Sequence, residues 1–376
     1  MMAAYTFSVG TFPALLPEIA AALRLPDWQL GLLAGAFGFA RMTSDIPGGL
    51  LVTHHVRRAL VMAPAFMIGG AALVVGGSGL AWVAVGRVLM GVGHTLGMLG
   101  GLTVILRHQA RGNLGSALNA FEFSAMLAVL GGVTLVGLLP KALPWNAVFL
   151  LGCAPMLVGL SLLPTVLARL PPTEPGRPWF ARTVSAIDGG RDDVGRVALA
   201  FAAGGTVAVT YATVESFLIP IRGSREFGLE RAGVARLLMS AQIADVIALL
   251  PVGALADRRG AARVLAGVLV AFAVAVALIG FGALPHVMAG CVVFGLGMAG
   301  WMLPLGLLRS ATPASRVAWR AALYRVCVDG GMFLGPFLSG LVAARSPRLL
   351  PGVLALALAL LAVTLAVRGT PRSPRI

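Results

Sequence analysis

A small set of ionisable side chains lies inside long apolar stretches of this sequence. Such a group costs a few kcal/mol in hydrocarbon unless it has a partner of opposite charge or contacts water. Acids, arginines and a histidine in this setting are the residue types that carry protons, bind ions or hold charged substrates. The set consists of Arg41, Asp45, Arg87, His94, Glu122, Glu215, Asp245, Arg325 and Asp329.

Two arginine–aspartate pairs share one spacing. Asp45 follows Arg41, and Asp329 follows Arg325, at position i+4. On a helix this spacing brings the two side chains onto one face. We therefore expect each pair to neutralise itself within its own helix as a gate or structural ion pair, with direct contact to a substrate as the alternative.

Two acids have no such partner. Neither Glu122 nor Asp245 has a basic residue three or four positions away. Burial without a cation favours the neutral, protonated form of a carboxyl group. We expect both to carry protons, with Asp45, Arg87 and Glu215 as further candidates. The alternatives are local hydrogen bonding for the first two acids, and simple solvation for Glu215.

Arg87 and His94 each allow a structural interpretation as well. Arg87 could extend its charged end to the membrane surface, and His94, among glycines, could be a hydrogen-bonded packing residue. Aromatic residues could line an apolar chamber or simply pack between helices. The predicted substrate cavity consists of Arg41, His94, Phe121, Tyr211, Trp301, Tyr324, Arg325 and Asp329.

The composition requires a membrane environment for these groups. The chain is 58% hydrophobic and 11% charged, with a mean hydropathy of +0.92. Soluble domains of ordinary composition carry about 25% charged residues. The net charge of +15 is spread over short arginine clusters between apolar runs, which argues against nucleic-acid binding.

The sequence lacks the motifs of metal binding, nucleotide binding and hydrolytic catalysis. The cysteines lie singly in apolar segments, so neither a disulfide framework nor a metal site is expected. No phosphate-binding loop, hydrolase elbow or zinc-protease motif occurs. We expect a protein that is not an enzyme and uses no cofactor.

Apolar runs separated by short polar loops predict an all-α protein with twelve transmembrane helices. The first run is interpreted as a span and not as a signal peptide, because the first basic residue is Arg24. The approximate span cores are 3–22, 29–50, 59–76, 80–104, 117–138, 147–167, 197–219, 233–254, 264–283, 287–308, 321–342 and 350–367.

The loops predict the orientation. Most loop arginines lie on the side that would also hold both termini, and positive charge marks the cytoplasmic face. We expect a multi-pass protein of the plasma (inner) membrane with both termini in the cytoplasm. A polar stretch at 170–196 is expected to be a cytoplasmic linker between two six-helix halves, 1–169 and 197–376.

One loop carries a family resemblance. Gly253-Ala-Leu-Ala-Asp257-Arg258-Arg259-Gly260 resembles the G-x-L-A-D-R-x-G-R-R loop of the major facilitator superfamily, and a weaker copy ends in Arg57-Arg58. The resemblance implies two pseudo-symmetric halves that give alternating access to a site between them. It also implies a cytoplasmic gate formed by Gly253, Asp257, Arg258, Gly260, Arg57 and Arg58.

Further motifs resemble the twelve-helix drug/proton antiporters of that superfamily. They are Phe12-Pro13-Ala-Leu-Leu-Pro17 and Arg87-x-x-x-Gly91-x-Gly93. The resemblance implies a monomeric secondary transporter with a small-molecule substrate, protons as coupling ion and efflux as direction. The alternatives are proton-coupled or facilitated uptake of an organic anion or metabolite, and a receptor or scaffold that no longer transports.

Overall fold

Every regular element in the described part of the chain is a helix. The computed structural model describes residues 1–108, 114–170 and 193–368. Most of the predicted linker 170–196 therefore lies outside the described residues. The helices run Met2–Leu23, Asp27–Gly76, Leu80–His108, Leu114–Leu138, Trp145–Cys153, Pro155–Arg169, Val194–Thr213, Ile219–Arg225, Arg231–Arg259, Ala261–Phe281, Leu284–Met298, Leu303–Ser310, Ala314–Ala343 and Leu349–Arg368, with a π-helical turn at Val214–Leu218.

Eleven continuous helical stretches in the described residues are long and apolar enough to cross a bilayer. The stretch Asp27–Gly76 is 50 residues long, about 75 Å at the α-helical rise. This is more than twice the ~30 Å hydrocarbon core, so it holds the predicted spans two and three. The prediction of an all-α membrane fold with twelve passes is therefore confirmed.

The loop predicted between spans two and three is shorter than expected. The only non-helical backbone there is at His55 (φ −139°, ψ 53°). Just before it, the Thr53 hydroxyl donates to the Gly49 carbonyl at 2.8 Å, and His54 Nδ1 lies 2.9 Å from the Leu50 carbonyl oxygen. Both contacts reach the carbonyl four residues back in the same helix. The break between the two spans is therefore confined to one residue.

Spans two and eleven, one from each predicted half, pack backbone to backbone. Gly31, Gly35 and Gly38 recur on one face of span two. A Cβ atom on Gly35 would lie 2.6 Å from the Phe333 carbonyl oxygen, and one on Gly38 would lie 2.7 Å from the Met332 carbonyl carbon. Glycine thus permits the close approach. We call this contact the glycine seam.

A buried ion pair joins the halves at one end of the bundle. Arg231, at the start of span eight, lies 2.5 Å from Glu18 at the end of span one, and its side chain is 3% exposed. The same guanidinium donates to the carbonyls of Pro140 at 3.3 Å and Leu143 at 2.7 Å. One arginine therefore links two elements of the predicted first half, the end of span one and the loop before span six, to the predicted second half.

Two more ion pairs lie at this end. Arg225 lies 2.6 Å from Asp27, and Lys141 lies 2.5 Å from Glu230. In the predicted orientation this end faces outward. We call these two pairs and Glu18–Arg231 the outer gate.

The predicted cytoplasmic gate is not engaged at the opposite end. Asp257 and Arg258 are exposed, and within the described ranges neither forms an ion pair. Gly253 is exposed, with nothing near its Cβ position, and Gly260 ends the helix with a φ of +86°, which favours glycine. The protein is therefore closed at the outer gate and unlatched at this loop.

The first-half copy of that loop makes a contact within its own half. Arg57 donates from Nη2 to the Leu170 carbonyl at 2.6 Å, which ties the loop to the end of span six. Arg58 is exposed. The contact of Arg57 lies within the predicted first half and does not connect the two predicted halves.

Replacement of Arg231 by Gln should open the outer gate, because Glu18 would lose its charged partner. Breaking a buried ion pair costs about 3–5 kcal/mol. Spin labels at Ala142→Cys and Arg348→Cys, one on each predicted half, should show a longer mean distance in the R231Q protein. Lys141→Gln is the matched control, because its pair has side chains 73% and 61% exposed and should contribute little. An unchanged distance in R231Q would contradict this role for Arg231.

The predicted orientation can be tested by cysteine labelling. The native Cys153 and Cys291 are buried and Cys327 is partly so, and all three would first be replaced by alanine. A membrane-impermeant maleimide added to intact cells should label Lys141→Cys but not Arg258→Cys. Efficient labelling at position 258 would mean that the orientation is inverted.

Candidate functional site

Two ion pairs cross between the predicted halves near the middle of spans two and eleven. Arg41 Nη2 lies 2.8 Å from Asp329 Oδ1, and Arg325 Nε lies 2.9 Å from Asp45 Oδ1. Asp329 is fully buried and Asp45 is 7% exposed. The closest partner of each arginine therefore lies on the facing helix and not, as predicted, on its own helix, although the predicted pair within span eleven persists at a longer distance. The contact within span eleven, Arg325 to Asp329, is longer at 3.9 Å.

The glycine seam explains this exchange of partners. Arg41 lies one helical turn beyond Gly38, where the two backbones are still close. A long guanidinium side chain can then reach a carboxylate on the facing helix. The outward part of the interface is thus held by backbone packing and its centre by charge. We call these four side chains the crossed cluster.

Glu122 lies close to the crossed cluster. It is half-buried on span five, and the cations whose charge acts on it are Arg325 and Arg41. The sequence predicted that Glu122 has no cationic neighbour. This holds along its own helix but not in space.

A second group of acids lies within the predicted second half. Glu215 on span seven is 5% exposed, and Asp245 on span eight is 3% exposed. The charge of Asp245 acts on the Glu215 carboxyl. Gln242 donates from Nε2 to Glu215 Oε2 at 3.1 Å, whereas Asp245 Oδ1 has no hydrogen-bond partner among the described residues. Glu215 is therefore not solvated at the membrane surface, which corrects that alternative.

Aromatic rings border this acid pair. Tyr211 lies one turn before Glu215, and the charge of this carboxyl acts on the phenol. Its ring stands edge-on to Trp301 at 5.4 Å and is stacked on Phe294 at 6.3 Å. Tyr211 and Trp301 are only partly buried, so part of this aromatic wall is accessible.

A π-helical turn positions Glu215. Over Val214–Leu218 the backbone hydrogen bonds span five residues instead of four, so that the Ile219 N–H donates to the Val214 carbonyl. Pro220 follows at once and cannot donate to the carbonyl four residues before it. Such turns are rare and are frequent at functional sites.

Arg87 and His94 are buried in the first half. Arg87 is 4% exposed, and its guanidinium lies 3.8 Å from the ring centre of Phe12 and 5.0 Å from that of Phe37. It does not extend to the membrane surface. His94 packs edge-on against Phe37 at 5.3 Å, and its Nε2 lies 3.5 Å from the Thr6 hydroxyl. These contacts agree with the interpretation of His94 as a hydrogen-bonded packing residue.

The other predicted cavity aromatics pack between helices. A Cβ on Gly101 would lie 2.9 Å from the Phe121 ring, and Tyr324 stands edge-on to Phe201 at 5.8 Å. The sequence analysis missed Gln242, which bonds Glu215. Its signal was a neutral amide three positions before Asp245, which a search restricted to ionisable groups passes over.

The chain is similar to known membrane transporters. It matches the family model described as Major Facilitator Superfamily over residues 1–209 and 197–376. The uncharacterized MFS-type transporter YbcL of Bacillus subtilis (strain 168) is 24% identical over 228 residues, which are 59% of this chain and 58% of that protein.

Solved structures share the fold. A POT family transporter in complex with a thioalcohol conjugated peptide superposes with a TM-score of 0.82 at 13% identity, over 98% of this chain and 94% of that one. The nucleoside transporter NupG superposes with a TM-score of 0.76 at 12% identity, over 99% and 98%. At these identities the likeness establishes the fold and not the substrate.

Because the family model matches along the whole sequence, the chain belongs to the Major Facilitator Superfamily. It is a multi-pass integral membrane protein of a transporter family and not an enzyme.

A double-mutant cycle separates the crossed pairing from pairing within a helix. Arg41→Gln and Asp329→Asn should couple by about 1–3 kcal/mol in unfolding free energy, because the two groups are in contact. Arg41→Gln and Asp45→Asn should couple more weakly. Denaturant unfolding of the purified variants in detergent provides the measurement. A larger coupling between positions 41 and 45 would favour the pairing within span two.

Proposed function

We propose that this chain moves a small molecule across the membrane by alternating access, coupled to protons and in the efflux direction. The observation that carries the proposal is the pair Glu215 and Asp245. Both carboxyls are at least 95% buried, and within the described ranges neither forms an ion pair with an arginine, lysine or histidine. An uncompensated carboxylate in such a place strongly favours the bound proton.

The state of the two gates determines which side of the membrane would exchange protons with this pair in the proposal. The outer gate is closed by three ion pairs, and the opposite loop around Asp257 is unlatched. In the proposed orientation the acid pair exchanges protons with the cytoplasm in this state. When the halves rock, the outer gate separates and the same pair exchanges with the outside. The substrate moves in the opposite sense.

The crossed cluster and Glu122 have a different role in this proposal. Asp45 and Asp329 each hold a guanidinium within 3 Å, so each carboxyl has a cation as its partner in this state. They fix spans two and eleven together, and Glu122 responds to the same arginines from span five. We assign the proton to the acid pair and the link between the halves to the crossed cluster.

The direction and the antiporter subgroup rest on motifs. Pro13 and Pro17 lie inside the first helix, and the buried Arg87 matches the arginine of the fourth-span antiporter motif. These support proton-driven efflux over uptake.

Amide substitution tests the assignment of the proton. Glu215→Gln and Asp245→Asn should each abolish substrate accumulation driven by a proton gradient in proteoliposomes, because an amide cannot release a proton. Exchange of substrate down its own gradient should survive, since the rocking motion needs no net proton movement. The pH dependence of transport should flatten in both variants.

Two further variants serve as comparison. Asp193→Asn changes a carboxyl outside both gates that is 53% exposed and should keep full accumulation, because asparagine caps a helix about as well as aspartate does. Glu122→Gln tests the earlier expectation that this acid carries the proton, and here we expect partial activity. Full uphill transport in both acid-pair variants would show that the coupling proton is carried elsewhere. Absence of transport in the unaltered protein under either gradient direction would favour a receptor or scaffold.

A further inference from the structure

A cavity lies between spans seven, eleven and twelve, at the end of the bundle that carries the outer gate. Its volume is about 160 Å³. An apolar cavity of about 150 Å³ is large enough to bind benzene. Apolar side chains from all three spans line it, among them Phe217, Ile221, Val342 and Leu350. The cavity therefore has room for the apolar body of a small ligand.

The charged groups of this cavity are already paired with one another. Arg222 lies 2.6 Å from Glu226, and Arg225 lies 2.6 Å from Asp27. Among the described residues that line the cavity, two arginines thus face two carboxylates. A charged ligand would leave its own charge without a partner, which is costly in a buried place. A neutral ligand therefore fits the cavity best.

The charged side of the cavity reaches water. The side chains of Arg225 and Glu226 are 47% and 43% exposed, whereas Phe217 and Ile221 are buried. A ligand can therefore enter from the aqueous side of the outer gate with its apolar body first.

One polar side chain on the cavity wall lacks a partner. Thr213 is 1% exposed, and its hydroxyl oxygen forms no hydrogen bond with the described residues. Buried polar side chains normally have a hydrogen-bond partner. Unmet polar atoms occur elsewhere in the interior as well, but Thr213 lies on the wall of an open space. A ligand with one hydroxyl group would supply the missing bond.

We infer that this cavity binds a small neutral alcohol, with an apolar body about the size of one aromatic ring, and that this ligand holds the outer gate closed. The hydroxyl bonds Thr213, and the body contacts the apolar wall. Asp27 comes from the predicted first half, whereas the other lining residues named above belong to the predicted second half. Separation of the Asp27–Arg225 pair would remove one wall, so the ligand binds the closed gate more tightly. This site is separate from the acid pair and does not depend on proton coupling.

Binding can be measured on the purified protein in lipid nanodiscs. Benzyl alcohol is the probe, and toluene, which has the same ring but lacks the hydroxyl group, is the comparison ligand. Saturation-transfer NMR titrations report both affinities, with empty nanodiscs as the blank for partition into lipid. We expect saturable binding of benzyl alcohol, and competition by toluene for the same site.

Variants then assign the site. Thr213→Val should weaken the binding of benzyl alcohol about 2- to 12-fold, as expected for loss of one hydrogen bond, and should not weaken the binding of toluene. Ala343→Phe places a ring in the cavity and should abolish the binding of both. Ala344→Phe is the matched control, because this alanine is exposed and does not line the cavity. Melting curves show whether each variant is folded.

The link to the gate is tested with the gate held shut. In the background without native cysteines, a bifunctional maleimide can join Lys141→Cys to Glu230→Cys, whose native charged ends lie 2.5 Å apart. The cross-linked protein should bind benzyl alcohol at least as tightly as the protein without the cross-link. The R231Q protein should bind it more weakly, because fewer molecules have a closed gate.

Several results would overturn the inference. Binding that is unchanged in Ala343→Phe would place the probe elsewhere, and loss of binding on cross-linking would assign the site to the open gate. Binding in detergent that lipid nanodiscs abolish would mean that a lipid chain fills the cavity instead. An unchanged affinity in R231Q, together with a longer distance between its spin labels, would remove the role of the ligand at the gate.

Discussion

Ionic charge buried between the two predicted halves is the constraint on which this structure depends. Removing two charges from water is costly, and breaking such a pair afterwards costs more, because one charge is left alone. The crossed pairs Arg41–Asp329 and Arg325–Asp45 lie in the middle of the interface. Any motion that keeps them intact must pivot about spans two and eleven, and the glycine seam keeps those spans close enough for this.

Away from that pivot the halves carry opposite unbalanced charges. The first half buries Arg87 between two phenylalanine rings. The second half buries Glu215 and Asp245 beside Tyr211 and Trp301. Charge is thus balanced where the halves must stay together, and unbalanced where protons and substrate would enter. The crossed cluster thus stabilises the interface, whereas Glu215 and Asp245 are the groups proposed to take part in transport.

Hydropathy was sufficient to predict the spans, because each must bury some twenty apolar residues in lipid. It could not predict partners. The spacing of Arg41 and Asp45 permits pairing within a helix, and only the packing of span eleven offers Asp329 as a closer partner. Likewise, Glu122 lacks a cation in sequence but not in space. Asp245 has no basic residue three or four positions away in sequence, and in the described part of the chain it forms no ion pair either.

The π-helical turn in span seven stores one extra residue in the helix. Each residue of an α-helix corresponds to about 100° of rotation, so relaxation of this turn into regular α-helix would rotate the outer segment by that amount. Arg225 on that segment would then leave Asp27, while Arg222 would leave the carbonyl of Gly282. Glu215 lies within the same turn. A change in the partner of the Glu215 carboxyl would then be transmitted to the outer gate as rotation of this helix.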